Sequence, residues 1–298
     1  MNSRFTKWVF AIALGVVLLL VVGGYAVVNW QKGVEPIAIP PTPVTQVSLG
    51  PKREVIGLSV EEREIEAVTY GNGPTRLVFI GGIHGGYEWN SVLLAYKFMD
   101  YLEANPTAIP ANLQVTIIPS ANPDGVYKVI GKEGRFAVAD APPTPQTIPG
   151  RFNAHAVDLN RNFDCEWQAE SMWQGRVVGA GSAPFSEPEA RAIRDFVLAN
   201  DPAAVVSWHS QANAVYASRC EGEILPETLD ITNAYAQASG YQAVKSFDAY
   251  EVTGDAESWL ASLGIPALTV ELKTHETIEW EQNLAGVKAL FDYYGIHD

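Results

Sequence analysis

The sequence predicts an α/β domain, a single mostly parallel central sheet flanked by helices, preceded by one transmembrane helix. Three observations carry that expectation. An uncharged apolar run, "WVFAIALGVVLLLVVGGYAVV", extends from Trp8 to Val28. Downstream, short apolar runs bounded by turn residues alternate with longer segments whose apolar residues recur at helical spacing. The 298 residues are 47% hydrophobic and 18% charged, a globular composition with enough apolar material for a large core.

Residues 1–7 are expected on the cytoplasmic side and residues 8–30 across the cell membrane in a single pass. Roughly 20 residues at about 1.5 Å rise cross a bilayer. Arg4 and Lys7 precede the run, only Lys32 follows closely, and Trp8 and Trp30 stand at interfacial positions, which puts the N-terminus inside and the rest outside. A cleaved signal peptide, giving a secreted domain, is the competing reading, but no convincing small-x-small cleavage site follows the run. Residues 31–54 include the proline-rich, aperiodic "VEPIAIPPTPVTQVSLGPKR", which reads as an extended spacer. A folded domain is expected over 55–298. The net charge of -14 opposes phosphate contacts, so nucleic acid is excluded as a partner. Cys165 and Cys220 are an even count in a disulfide-permissive compartment, so one bridge is expected over two buried thiols.

Within the domain, "RLVFIGGI", "LQVTIIPS", "AAVVSWHS" and "PALTVELK" read as buried strands. "SVLLAYKFMDYLEAN", "FSEPEARAIRDFVLAN", "LPETLDITNAYAQASG" and "TIEWEQNLAGVKALFDYYG" read as helices, the second opening on Ser186, Pro188 and acids and the third stopping at Gly240. Strands that alternate with helices imply a sheet covered on both faces, with ligands at the carboxyl ends of its strands. Those ends deliver His84, Asn122 with Asp124, His209 and Glu271. For any single one of them, turn capping or core hydrogen bonding is the better explanation.

Read together, "RFNAHAVDLNRNF" (Arg151 to Phe163), "APFSEPEARA" (Ala183 to Ala192), "SWHSQ" and "YEVTGDAESWLASLGIPALTVEL" (Tyr250 to Leu272) resemble the zinc carboxypeptidase family, in family order and from about residue 55 onward. The resemblance implies a mixed α/β sheet and one zinc ion held by His84, Glu88 and His209, three ligands with an open position. It implies Glu271 as general base, Arg151 as the oxyanion's partner, Tyr250 as a residue closing over substrate, and Asp158 as an acceptor orienting a ligand histidine. Asn160 and Arg161 would hold the free C-terminal carboxylate of a peptide substrate. Glu257 falls where an acid in some members selects a basic C-terminal residue, and Lys245 falls where it could neutralise that acid.

The family usually places two residues between its first histidine and its glutamate, whereas Gly85, Gly86 and Tyr87 make three here. Spacings of three and four project to similar faces of a helical turn, and the glycines can absorb the extra residue. His155, His275 and His297 have no partner at ligand spacing and read as solvated or hydrogen-bonded residues. The expected activity is hydrolysis of the C-terminal peptide bond of peptides outside the cytoplasmic membrane. The alternatives are an amidase or peptidase acting on cell-wall peptides, and a non-catalytic surface protein that binds peptides.

Overall fold

The alternation of apolar residues along each strand assigns its two faces to two separate core layers. The computed structural model describes residues 18–20 and 50–295. The expected cytoplasmic N-terminus, most of the anchor, nearly all of the spacer and His297 lie outside them. Among the described residues no helix is long and apolar enough to cross a membrane.

The chain runs β1 (Lys52–Leu58), β2 (Glu64–Gly71), β3 (Thr75–Ile80), α1 (Trp89–Ala104), β4 (Leu113–Ile118) and α2 (Pro123–Ile130). A two-stranded ribbon, β5 (Glu170–Trp173) and β6 (Arg176–Gly179), then precedes α3 (Pro188–Asn200), β7 (Ala204–Ser210) and β8 (Ala214–Ala217). The last elements are α4 (Pro226–Ser239), β9 (Gln242–Val244), α5 (Ala256–Ser262), β10 (Ala267–Leu272) and α6 (Trp280–Tyr294). Eight strands form one sheet in the order β1-β2-β4-β3-β7-β10-β8-β9. The four strands expected from their apolar runs are its contiguous parallel centre, β4-β3-β7-β10. The sheet is mixed because β1, β2 and β4 pair antiparallel on one side and β8 pairs antiparallel with β10 on the other.

Leu77, Phe79, Val206, Trp208, Leu268 and Val270 face a layer built by α1, α4 and α6. Their strand neighbours Val78, Ile80, Val205 and Ala267 face the opposite layer, built by α3 and α5. Each fully buried aliphatic or aromatic side chain contributes about 1.5–3 kcal/mol relative to exposure, so both layers hold the sheet from its two sides. Parity along β7 and β10 then puts His209 and Glu271 on the α3/α5 face, one position beyond Trp208 and Val270.

The helix boundaries follow their end signals. Pro188 opens α3 with Glu189 in its first turn, and Gly240 closes α4 in the left-handed region at φ 76°. Asn122 and Asp124, which follow β4, take structural duties instead of joining the site. The Asn122 side chain accepts from Gly125 N at 2.8 Å and caps α2, while Asp124 binds Ser59 Oγ at 2.6 Å and Arg63 Nη1 at 2.7 Å. Cys165 and Cys220 are joined in a disulfide across a sequence separation of 55, tying the segment after Phe163 to the segment after β8.

Candidate metal centre and active site

Three strand ends and one tight turn bring the candidate residues together. After β3 the chain enters a short 3-10 turn, Gly85–Glu88, that leads into α1. That turn absorbs the extra residue between His84 and Glu88. Gly85 sits at φ 45°, and a Cβ there would lie 2.6 Å from Gly150 O and 2.9 Å from Gly125 Cα, so glycine is required both by conformation and by close approach. With the turn wound this way, Glu88 Oε2 comes 3.1 Å from His209 Nδ1, and ligand atoms of His84, Glu88 and His209 lie within 4.8 Å of one another. All three residues are buried. Gly85→Ala is expected to shift Glu88 and lower metal affinity at least tenfold, read by chelator competition; unchanged affinity would show that the turn does not seat the ligand.

β7 and β10 run parallel with His209 and Glu271 in register, so the two side chains stand side by side on one face. Arg151 is buried, its Nε and Nη2 held by Asp158 Oδ2 at 2.9 and 2.8 Å, its Nη1 3.8 Å from Glu88 Oε1 and its guanidinium 4.5 Å above the Trp173 ring. Asp158 Oδ1 lies 3.4 Å from His84 Nδ1, and the Asp158 side chain also caps the turn Leu159–Arg161 through Asn160 N. Arg161 is anchored by Asn160 O and Met172 O at 2.6 and 3.0 Å, with its Nε buried and unpartnered among the described residues. Asn160 Oδ1 accepts from Ala256 N, which leaves its amide nitrogen as the group free to donate.

A cavity of about 730 Å³ joins these groups. Tyr250 lines it, its ring 4.8 Å from that of Phe247. Glu257 also lines it, but its carboxylate is buried beside His209. Lys245 is exposed and is not part of the lining, so it does not neutralise Glu257 as the sequence suggested.

The charges are crowded in a way that suits a divalent cation. Burial and the neighbouring Arg151 hold His84 well below its usual range, leaving a neutral imidazole with a lone pair to donate. Burial would lower His209 too, but the Glu88 and Glu257 carboxylates raise it well above its usual range. Burial, then Glu88, pushes Glu271 up to about 8. A cation among these groups would take the His84 lone pair, displace a proton from His209 and relieve the repulsion between Glu88 and Glu271. Two imidazoles and one carboxylate, buried and open to a cavity on one side, are a donor set of the catalytic zinc kind.

One site residue carried no signal in the sequence. His275 lines the cavity, tilted against Tyr87 at 4.6 Å between ring centroids, with Nδ1 2.7 Å from Ser210 Oγ. Asn90 donates its amide hydrogens to Thr274 O and Thr277 O, so its Oδ1 must accept the Ser210 hydroxyl hydrogen at 3.0 Å. The hydroxyl then accepts from His275 Nδ1–H. Burial keeps His275 neutral, so its Nε2 carries the lone pair. Ser210 N also donates to Glu88 Oε2 at 3.2 Å, which links this network to the ligand set. His155 is held by Glu187 at 2.7 Å, away from the site, in line with its reading as a hydrogen-bonded residue.

The profile of zinc carboxypeptidases matches residues 51–284. The chain belongs to the zinc carboxypeptidase family. Members of this family are zinc-dependent hydrolases, and the His84, Glu88 and His209 group is placed for that metal. Among characterised family relatives, gamma-D-glutamyl-L-diamino acid endopeptidase 1 of Lysinibacillus sphaericus is 28% identical over 247 residues, covering 73% of this chain and 59% of that protein. Murein peptide amidase A of Escherichia coli K12 is 30% identical over 131 residues, covering 41% of this chain and 50% of its own length. The chain therefore spans half to three fifths of the length of these relatives. The fold is shared with the murein-tripeptide amidase of Escherichia coli O157, at a TM-score of 0.60 and 22% identity over 84% of this chain and 94% of that one. It is shared equally with thrombin-activatable fibrinolysis inhibitor, at 0.66 and 20% identity over 82% and 69%.

Proposed function

We propose that the domain is a zinc-dependent exopeptidase that hydrolyses the amide bond ahead of a C-terminal diamino acid, in peptides of the cell-wall kind. The observation that carries the exopeptidase reading is the placement of Arg161 and Asn160 in the same cavity as His84, Glu88, His209 and Glu271. A guanidinium beside an amide donor suits a free carboxylate, and a carboxylate held there puts the adjoining amide bond within the ligand set's reach.

When bound, zinc supplies a Lewis acid that polarises a carbonyl and makes water acidic near neutral pH. Glu271 takes the proton of the attacking water and returns it to the leaving amine. Arg151, oriented by Asp158 and stacked on Trp173, stabilises the oxyanion as it forms. Asn160 and Arg161 hold the substrate carboxylate, and Tyr250 covers the bound residue. Asp158 lies beside His84 and orients it.

The choice of wall peptides is supported by the names of the relatives, one an endopeptidase at a gamma-D-glutamyl-L-diamino acid bond and another a murein peptide amidase. It is also supported by Asp255, a partly buried residue that lines the cavity and whose carboxylate is pushed up to about 6 by burial and by Glu257. A substrate ammonium beside it would favour the ionised form. Action outside the cytoplasmic membrane is supported by the Cys165–Cys220 disulfide, which suits an oxidising compartment.

The test compares kcat/KM of the full chain on muropeptides ending in a diamino acid and on ordinary peptides ending in Lys, Leu or Glu, each with a free or an amidated C-terminus. Wall peptides are expected to be cleaved fastest, and amidation should cost at least 10²-fold. Equal turnover of Leu-ended peptides would leave a general carboxypeptidase, and indifference to amidation would remove Arg161 from carboxylate binding.

A further inference from the structure

Glu257 sits in the first turn of α5, and the start of that helix is fixed from two sides. Asp255 caps it by accepting from Ser258 N at 2.9 Å, and Ala256 N donates to Asn160 Oδ1 at 2.9 Å. Trp259 and Leu260 on the same helix are buried in the α3/α5 core layer, which sets the helix's rotation. Strand parity brings His209 out on that same face of the sheet. The two facts together aim Glu257 at the far side of the His209 ring.

The distances describe a histidine held between two carboxylates. His209 Nδ1 is 3.1 Å from Glu88 Oε2, and His209 Nε2 is 3.8 Å from Glu257 Oε1. Both Glu257 Oε1 and His209 Nε2 are buried without a hydrogen-bond partner among the described residues. A neutral imidazole that offers the Nδ1 lone pair to a cation carries its hydrogen on Nε2, and a buried N–H requires an acceptor. Glu257 Oε1 is the acceptor that faces it. Glu257 is buried as a whole residue, whereas Asp255 is only partly buried and lines the cavity.

We infer that Glu257 is a positioning residue of the metal centre, accepting from His209 Nε2–H and so directing Nδ1 to the cation, rather than the receptor for a basic substrate side chain. A carboxylate in that place holds the ligand's tautomer and ring orientation, makes Nδ1 a stronger donor and adds a negative charge behind the ion. The inference rests on the zinc reading of the site. Asp255, Glu166 and Glu251 are then the acids left on the cavity to meet a substrate amine.

The full chain, with Glu257→Gln and Glu257→Ala, would be titrated with zinc against a chromogenic chelator, and all three would be melted metal-free. Zinc affinity is expected to fall about 10–100-fold in Glu257→Ala and by less in Glu257→Gln, whose amide oxygen still accepts. Metal-free Glu257→Ala should melt lower than the wild type, because it leaves the buried His209 Nε2–H without an acceptor, and metal-free Glu257→Gln by less; at saturating zinc the Lys-to-Leu ratio of kcat/KM should be unchanged in both. Wild-type affinity in both variants, or a collapse of the Lys-to-Leu ratio with zinc affinity intact, overturns the assignment. A wild-type chain that takes no zinc overturns the metal reading and this inference with it. The zinc-loaded wild type provides a readout that needs no variant. Its His209 Nε2–H proton should resonate downfield and exchange slowly, and fast exchange would mean that Glu257 does not accept it.

Discussion

Glu271→Gln is expected to lower kcat on a cleavable peptide by about 10³-fold, within the range for loss of a general base, while KM changes little. The amide keeps the side chain's volume and its place at the end of β10 beside His209, so substrate still binds but the attacking water keeps its proton. Hydrolysis by the variant at the wild-type rate would sink the mechanism and favour a peptide-binding protein. The same substitution has a signature in the metal-free chain. Burial and Glu88 raise Glu271 from the ordinary 4.5 to about 8, so the folded chain keeps a proton that the unfolded chain releases as pH climbs between those values. More protons bound in the folded state means that stability falls as pH rises across that window. Metal-free Glu271→Gln should lack that part of the decline, seen as a smaller drop in melting temperature from pH 5 to pH 8. A cation favours the ionised carboxylate, so in the zinc-loaded chain Glu271 works as a base below pH 8.

Loss of the metal is expected to be as damaging. His84→Ala removes one of three ligands, and zinc content should fall from near one per chain to a small fraction, with kcat/KM down by more than about 10³-fold. A chelator should do the same to the wild type and lower its melting temperature, because a ligand that binds only the folded state adds about 4 kcal/mol at a thousand times its Kd. Zinc content by atomic absorption and melting with and without chelator test this. Activity that survives complete chelation would rule out the zinc mechanism, and a melting temperature that does not move would show that the ion does not couple to folding.

Much of the fold was legible because the relevant signals are local. β3, β4, β7 and β10 are buried on both faces, so each appears as a continuous apolar run between turn residues. β1 is largely exposed, β8 is four residues long and β9 three, too short or too polar to show a period. Their pairing with β2, β10 and β8 is decided by the sheet, and it is what makes the sheet mixed. Asn122 and Asp124 show the opposite limit, since a polar residue after a strand looks the same whether it caps a helix or faces a cavity.

By itself the sequence carried the family resemblance, because His84, Glu88, His209, Arg151, Asn160, Arg161 and Glu271 stand in segments that resemble those of zinc carboxypeptidases in residue type and order. Tertiary structure alone decided three things. A glycine turn against Gly125 and Gly150 brings Glu88 back to His209 despite the extra residue. His275 reaches the site through Ser210, a contact across a sequence separation of 65 that no local pattern encodes. The orientation of Glu257 depends on how α5 packs on the face of the sheet where His209 emerges, so its role followed from which neighbour its buried carboxylate met, a property of the packing and not of its place in the segment Tyr250 to Leu272.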